Sequence, residues 1–263
     1  MHVGVEMGGT SCKVAIFKDN DFFKPMASMI FETSKTNAKV TLDQMSDWID
    51  KSLGGQEAAS LGIAAFGPIC LDRNDSQFGN ITTTPKLAWQ NIELLKHFKT
   101  RHNFENRPEK IFFDTDCNVC AMYEYQQLKQ KDMVRESLCY VTAGTGIGIG
   151  LIINGKCVHG VLHPEGGHVV VPRLERDLAF KGSCSFHGDC LEGLCTNNAI
   201  RDRLGLASVE AIPKLPDSHD IWNILADYFG SFCANIFLTT SVEKIIMGGG
   251  IFNRNCLLEK TRE

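Results

Sequence analysis

The sequence predicts an α/β sandwich made of two similar lobes, and three observations carry that prediction. Apolar runs of strand length alternate with helical segments in the order βαβα. A strand–turn–strand with a glycine-rich turn opens the chain and recurs in its second half. With 263 residues and 43% hydrophobic content, the chain can bury a core for one large domain or two smaller ones.

Taken in order, residues 2–8 and 12–17 are short apolar runs joined by Gly8-Gly9-Thr10-Ser11, the punctuation of a tight hairpin. A polar helical segment covers 42–53, and a strand at 59–65 runs into the rigid Gly67-Pro68 turn. A short helix at 92–98, a strand at 110–113 and a helix at 119–129 complete the first half. Strands at 138–143 and 147–153 then flank Gly144-Thr145-Gly146, repeating the opening hairpin. A loop-rich Cys/His insertion at 163–195 precedes a long amphipathic helix at 221–239, and a strand at 244–247 ends in Gly248-Gly249-Gly250. No Pro/Ser/Gly-rich linker separates the halves, so we expect lobes over 1–117 and 118–263 packed across a cleft, with a hinge that closes on ligands.

Composition excludes several functions. Twenty-seven basic against 31 acidic side chains leave a formal net charge of −4 without a dense basic run, so no nucleic-acid partner is expected. The N-terminus enters a strand pattern at once, without the n-region, apolar core or cleavage site of a signal peptide, and reads as cytoplasmic. No run reaches the roughly 20 apolar residues of a spanning helix, so no membrane association is expected. Eleven cysteines is a high, odd count, but most stand singly in apolar stretches, as small buried hydrophobes rather than a disulfide framework.

Three glycine-rich turns follow apolar strands: Gly8-Gly9-Thr10, Gly144-Thr145-Gly146 and Gly248-Gly249-Gly250. Glycine lets backbone N–H groups approach a phosphate closely, and strand ends are where α/β folds gather ligands. One such turn is ordinary loop geometry; three, near the start, middle and end, point to a nucleotide spanning two lobes. Neither GxxxxGK[ST] nor a Rossmann fingerprint is present, so the cradle is of another type. Asp116, in FDTDCNVCAMYE, follows a strand and opens a helix, a place for a general base or for a helix cap. His168, Cys184, His187 and Cys190 follow the spacing H-x15-C-x2-H-x2-C. Two thiolates and two imidazoles suit tetrahedral Zn²⁺ and leave no open position, which makes such a metal structural.

The three turns resemble the phosphate and adenosine loops of actin-like, ribonuclease-H-like kinases, whose lobes each begin with a β-hairpin. The D-x-N element at Asp116 and the E-x-G-H element at Glu165 to His168 narrow the likeness to the ROK family of sugar kinases. That resemblance, over nearly the whole chain, implies a two-lobed actin-like ATPase fold with an inserted zinc loop, and phosphoryl transfer from ATP to a hexose. It implies that the three glycine turns hold ATP, that Asp116 is the base and that Asn118 supports the sugar site, while Asp114 makes structural hydrogen bonds. Structural Zn²⁺ would be held by His168, Cys184, His187 and Cys190, with Cys195 and His163 as spares read instead as a core thiol and a loop histidine. Glu165 would face the sugar, and Gly67, Pro68 and Asn91 would be sugar-side elements. Glu6 is the candidate for Mg²⁺, which keeps several waters and one or two carboxylates.

Within the family, the C-x-x-H spacing, the segment FGNITTTPKLAWQN, Glu6 and Thr115 are similar to the fructokinase branch, which makes fructose the expected hexose. Glucose, mannose or an N-acetylated amino sugar is the alternative, as is a non-catalytic sugar sensor. The family's repressors carry an added helix-turn-helix, and this chain opens directly on the kinase strand. The family also suggests a homodimer. Only thirteen residues follow Gly250, where the family's last helices normally pack back across the lobes, so the chain reads as truncated or divergent there, with a weakened adenosine pocket.

Overall fold

The computed structural model describes residues 1–19 and 24–263, which gather into two compact units: Met1–Val119 with His159–His163, and Cys120–Val158 with Pro164–Glu263.

In the first unit, β1 (His2–Met7) and β2 (Ser11–Phe17) form an antiparallel hairpin in register from His2↔Phe17 to Met7↔Cys12. Alternate residues Val3, Val5 and Met7 face the core, the period-2 pattern of a pleated strand. β3 (Ala27–Glu32) adds to β2 as an edge strand and was not foreseen. Its exposed Met29 and Ile30 carry no alternation that sequence could reveal, and pairing with β2 alone defines it.

α1 (Ala38–Leu53) starts four residues before the expected helix because the Asn37 side chain accepts from the Lys39 N–H (3.0 Å), and it ends at the left-handed Gly54. Leu42, Met45, Ile49 and Leu53, spaced at three and four, are buried in the first core. β4 (Ser60–Ala65), α2 (Leu94–Arg101) and β5 (Ile111–Thr115) complete a five-stranded sheet ordered β3-β2-β1-β4-β5, with β1, β4 and β5 parallel. α3 (Asp116–Lys129) follows without a loop; it begins three residues before the expected Val119, and its first turn belongs to this unit.

The second unit repeats the opening hairpin. β6 (Leu138–Ala143) and β7 (Ile147–Ile153) pair antiparallel, β8 (Lys156–Cys157) extends the edge, and the sheet order is β8-β7-β6-β9. The short α4 (Leu191–Cys195) closes the segment expected to be loop-rich, and α5 (Asn197–Leu204), in a stretch with no expected element, is capped by the Thr196 side chain. α6 (Ile221–Thr240) buries Trp222, Leu225, Phe229 and Phe232 in the second core. By length and composition it is apolar enough to cross a membrane, a test that a buried core helix also passes. β9 (Ile245–Gly248) runs parallel to β6, and α7 (Asn255–Arg262), also unforeseen, packs on α6 through Leu257. Among the described residues, none of the eleven cysteines is in a disulfide.

Candidate active site

Strand register assembles the first half of the site. Met7 pairs with Ala65, and Ala65 with Thr115, so the residues that follow, Gly8, Phe66 and Asp116, leave the same sheet edge side by side. At a strand spacing of about 4.8 Å, Gly8 and Asp116 lie roughly 10 Å apart across that edge. It is the carboxyl end of the parallel strands, where α/β sheets collect ligands.

Asp116 sits in the first turn of α3 and accepts from the Cys117 N–H (2.8 Å). Burial raises its pKa above the ordinary carboxylate value against the pull of that N–H, and the Glu6 carboxylate nearby adds to the rise. Glu6 itself stands exposed on β1.

Behind Asp116 lies a buried network. Asp114, 2% exposed, accepts from the Thr115 N–H and from Asn118 Nδ2, both at 2.8 Å, while the Thr115 hydroxyl oxygen accepts from the Asn118 N–H at 3.0 Å. Asn118 is thus a fully buried anchor of the D-x-N element. His159 Nε2 lies 3.0 Å from Asp114 Oδ2 and donates to it, a contact sequence reasoning missed because 45 residues separate the partners. His163 is buried and accepts from the Ile69 N–H (3.3 Å), just beyond the Gly67-Pro68 turn.

The loop expected on the sugar side is a small antiparallel patch through Ile69, Ile81 and Ile92. Asn91 stands exposed in the left-handed region at φ 56°, with its N–H donating to Thr82 O at 3.1 Å. Trp89 is buried, its indole N–H donating to Ser34 O at 2.9 Å.

In the second unit, His168, Cys184, His187 and Cys190 converge, with one ligand atom from each lying within 4.8 Å of all the others. His168 Nδ1 is 3.8 Å from Cys184 Sγ and 3.6 Å from Cys190 Sγ, close to the edges of a tetrahedron with bonds of about 2.1 and 2.3 Å. The donor set fits Zn²⁺. Burial, with the Cys184 sulfur beside it, pushes the Cys190 thiol up to about 11. His168 reaches the cluster from a 3₁₀ turn (Gly166–His168) pressed on β7, where a Cβ on Gly167 would overlap the Ile147 carbonyl oxygen. Glu165 precedes that turn and is exposed. Cys195 stays outside the cluster, buried in the second core, where burial drives its pKa upward.

The second and third glycine turns are neighbours. Gly248 pairs with Thr142, a Cβ on Gly144 would stand 3.8 Å from the Gly250 nitrogen, and Gly249 takes φ 87° against the Ala143 backbone. The Ile147 N–H donates to Glu192 Oε2 at 3.0 Å, and Asn197 N–H at the start of α5 donates to Gly144 O at 2.9 Å. Beside Gly250 opens a cavity of about 670 Å³ reaching Asn197, Trp222 and Arg254, large enough for a nucleoside. A separate cavity of about 380 Å³ in the first unit, lined by Arg73, Phe78, Lys99 and Phe113, holds none of the candidate residues.

This arrangement has known counterparts. The chain is 36% identical to a fructokinase of Zymomonas mobilis subsp. mobilis over 98% of its own length and 82% of the relative's. It is 34% identical to a fructokinase of Lactococcus lactis subsp. cremoris, covering 95% and 79%. Among solved structures, a ROK family glucokinase from Streptomyces griseus in complex with glucose and AMPPNP superposes with a TM-score of 0.70 at 21% identity, over 99% of this chain and 87% of that one. The ROK family matches residues 2–263, and the chain belongs to that family.

Proposed function

We propose that this ROK family sugar kinase transfers the γ-phosphoryl group of ATP to the 6-hydroxyl of fructose, with Asp116 as the general base. The observation that carries the reading is the placement of Asp116, which leaves the same end of the sheet as the first glycine turn with one strand between them and is backed by the buried Asp114–Asn118 network. Two relatives at 36% and 34% identity, both fructokinases, support fructose over other hexoses.

Asp116 accepts the hydroxyl proton as the sugar oxygen bonds to the γ-phosphorus and the bond to the bridging oxygen of ADP breaks. Asp114, Asn118 and His159 hold the strand end and first helical turn that carry Asp116, and backbone N–H groups of the glycine turns meet the phosphate oxygens. Gly67, Pro68, Asn91 and Glu165 border the sugar. Glu6, exposed on β1 two residues before the first glycine turn, would hold Mg²⁺, which when bound neutralises phosphate charge. His168, Cys184, His187 and Cys190 would hold Zn²⁺, which when bound would be structural and keep the Glu165 turn in shape.

Asp116→Asn tests the assignment. It should lower kcat by roughly 10²–10⁴-fold while calorimetry finds fructose affinity within a few-fold of wild type, as for a lost base. Near-normal turnover would remove Asp116 from that role.

A further inference from the structure

One cation in the first unit has no part in the mechanism above. Lys86 lies in the TTTPK segment, and its Nζ stands 3.1 Å, and its Cε 3.2 Å, from the point a Cβ on Gly9 would occupy. The side chain therefore lies over the first glycine turn, on the side from which Gly9 withholds a side chain. The ammonium rests 5.2 Å above the Phe66 ring, and Phe66 meets Trp89 edge to face at 5.7 Å. Because Trp89 is locked in the core through its bond to Ser34, the lysine is aimed by a stack with a rigid base. Phe66 follows β4 at the same sheet edge that releases Gly8 and Asp116. Among the described residues no carboxylate pairs with Lys86; its stem is half-buried, and an aromatic face leaves an ammonium's charge largely available to an anion.

We propose that Lys86 is a catalytic residue whose ammonium binds the transferring phosphoryl group at the Gly8-Gly9-Thr10 turn. The inference rests on the reading that this turn receives the phosphates of ATP. As the sugar oxygen–phosphorus bond forms and the bond to ADP breaks, negative charge is spread over the three equatorial oxygens, and a fixed cation a few ångströms away stabilises it. Lys86 keeps its proton throughout; the hydroxyl proton goes to Asp116. Contact with the sugar alone would appear in fructose KM, whereas contact with the moving phosphoryl appears in kcat and in affinity for the third phosphate.

The test compares wild type with Lys86→Met and Lys86→Arg, in steady state with fructose and in binding of Mg-AMPPNP and Mg-ADP. Lys86→Met should lose about 10²–10³-fold in kcat, the usual cost of one charge-stabilising donor, with fructose KM little changed. It should lose affinity for AMPPNP at least tenfold more than for ADP, and Lys86→Arg should restore much of both. An Lys86→Met kcat within about threefold of wild type, a rise in fructose KM alone, or equal losses for the two nucleotides would overturn the proposal. If wild type turns over no sugar, the nucleotide arm still decides: an unequal loss keeps Lys86 at the third phosphate while the kinase reading falls, and an equal loss or none removes it. Melting curves of both variants separate these outcomes from misfolding.

Discussion

The glycine turns that close the opening hairpin of each unit share a backbone plan and differ in charge. At the β1–β2 turn the neighbour of Gly9 is the Lys86 ammonium. At the β6–β7 turn the neighbour of Gly146 is a carboxylate: Glu192 Oε2 would stand 2.9 Å from a Cβ there and already accepts from the Ile147 N–H. A turn flanked by a cation attracts a ligand's negative charge. One whose amide is engaged by an internal anion has its shape set before any ligand arrives. Repeating a motif therefore does not repeat its role; the neighbours contributed from elsewhere in the chain decide it.

The contrast can be broken or sharpened, starting where the effect is largest. Stripping the proposed Zn²⁺ from the His168, Cys184, His187, Cys190 cluster should raise amide exchange in 163–195 on the order of tenfold or more, and leave the first sheet unchanged. Equal loosening of both units would remove the metal's local role. Glu192→Ala leaves the Ile147 N–H without its acceptor, which should cost about 1–3 kcal/mol of stability and raise KM for ATP several-fold with little change in kcat. A fall in kcat at unchanged KM would put the second turn in the chemistry and erase the difference.

The first unit has its own pH signature. Burial lifts the pKa of Asp116, so the proposed base is lost at a higher pH than an ordinary carboxylate of about 4, and kcat/KM should fall on the acid side correspondingly early. The sign for stability is opposite. A raised folded pKa means the ionised form is penalised by folding, so Asp116→Asn should melt slightly higher than wild type at neutral pH, and the gap should close on acidification. A lower melting temperature at neutral pH would contradict a desolvated Asp116. The smallest effect belongs to Glu243, whose carboxylate accepts backbone N–H groups of Glu136, Arg135 and Ser137 and is held at about 2. That contribution is present above pH ~4.5 and is lost as pH falls toward 2, so Glu243→Gln and wild type should differ in melting at neutral pH and converge in acid.

Much of this was legible in sequence because it is local. Period-2 apolar runs around Gly8-Gly9 and Gly144-Thr145-Gly146 marked both hairpins, and spacing alone picked out the four Cys and His that meet. The D-x-N element was visible as a strand running into a helix, though α3 starts at Asp116 itself, because that carboxylate accepts from the Cys117 N–H within the first turn. What sequence could not show depends on distance along the chain. β3 has an exposed pattern and exists by pairing; His159 meets Asp114 across 45 residues, and Lys86 reaches Gly9 only after the 66–92 segment has folded back on Trp89. Trp89, an aromatic in an otherwise polar loop, is buried and anchors that loop through its bond to Ser34, a role its sequence neighbours do not reveal.

The most direct test of the central claim is ADP release by purified protein with Mg-ATP, offering fructose, glucose, mannose and N-acetylmannosamine separately, with zinc measured on the same sample. Fructose-dependent turnover well above the other three, with about one zinc per chain, is the predicted result. Preference for another sugar would contradict the fructose assignment, and a folded, zinc-bearing protein that turns over none of the four would contradict the kinase reading.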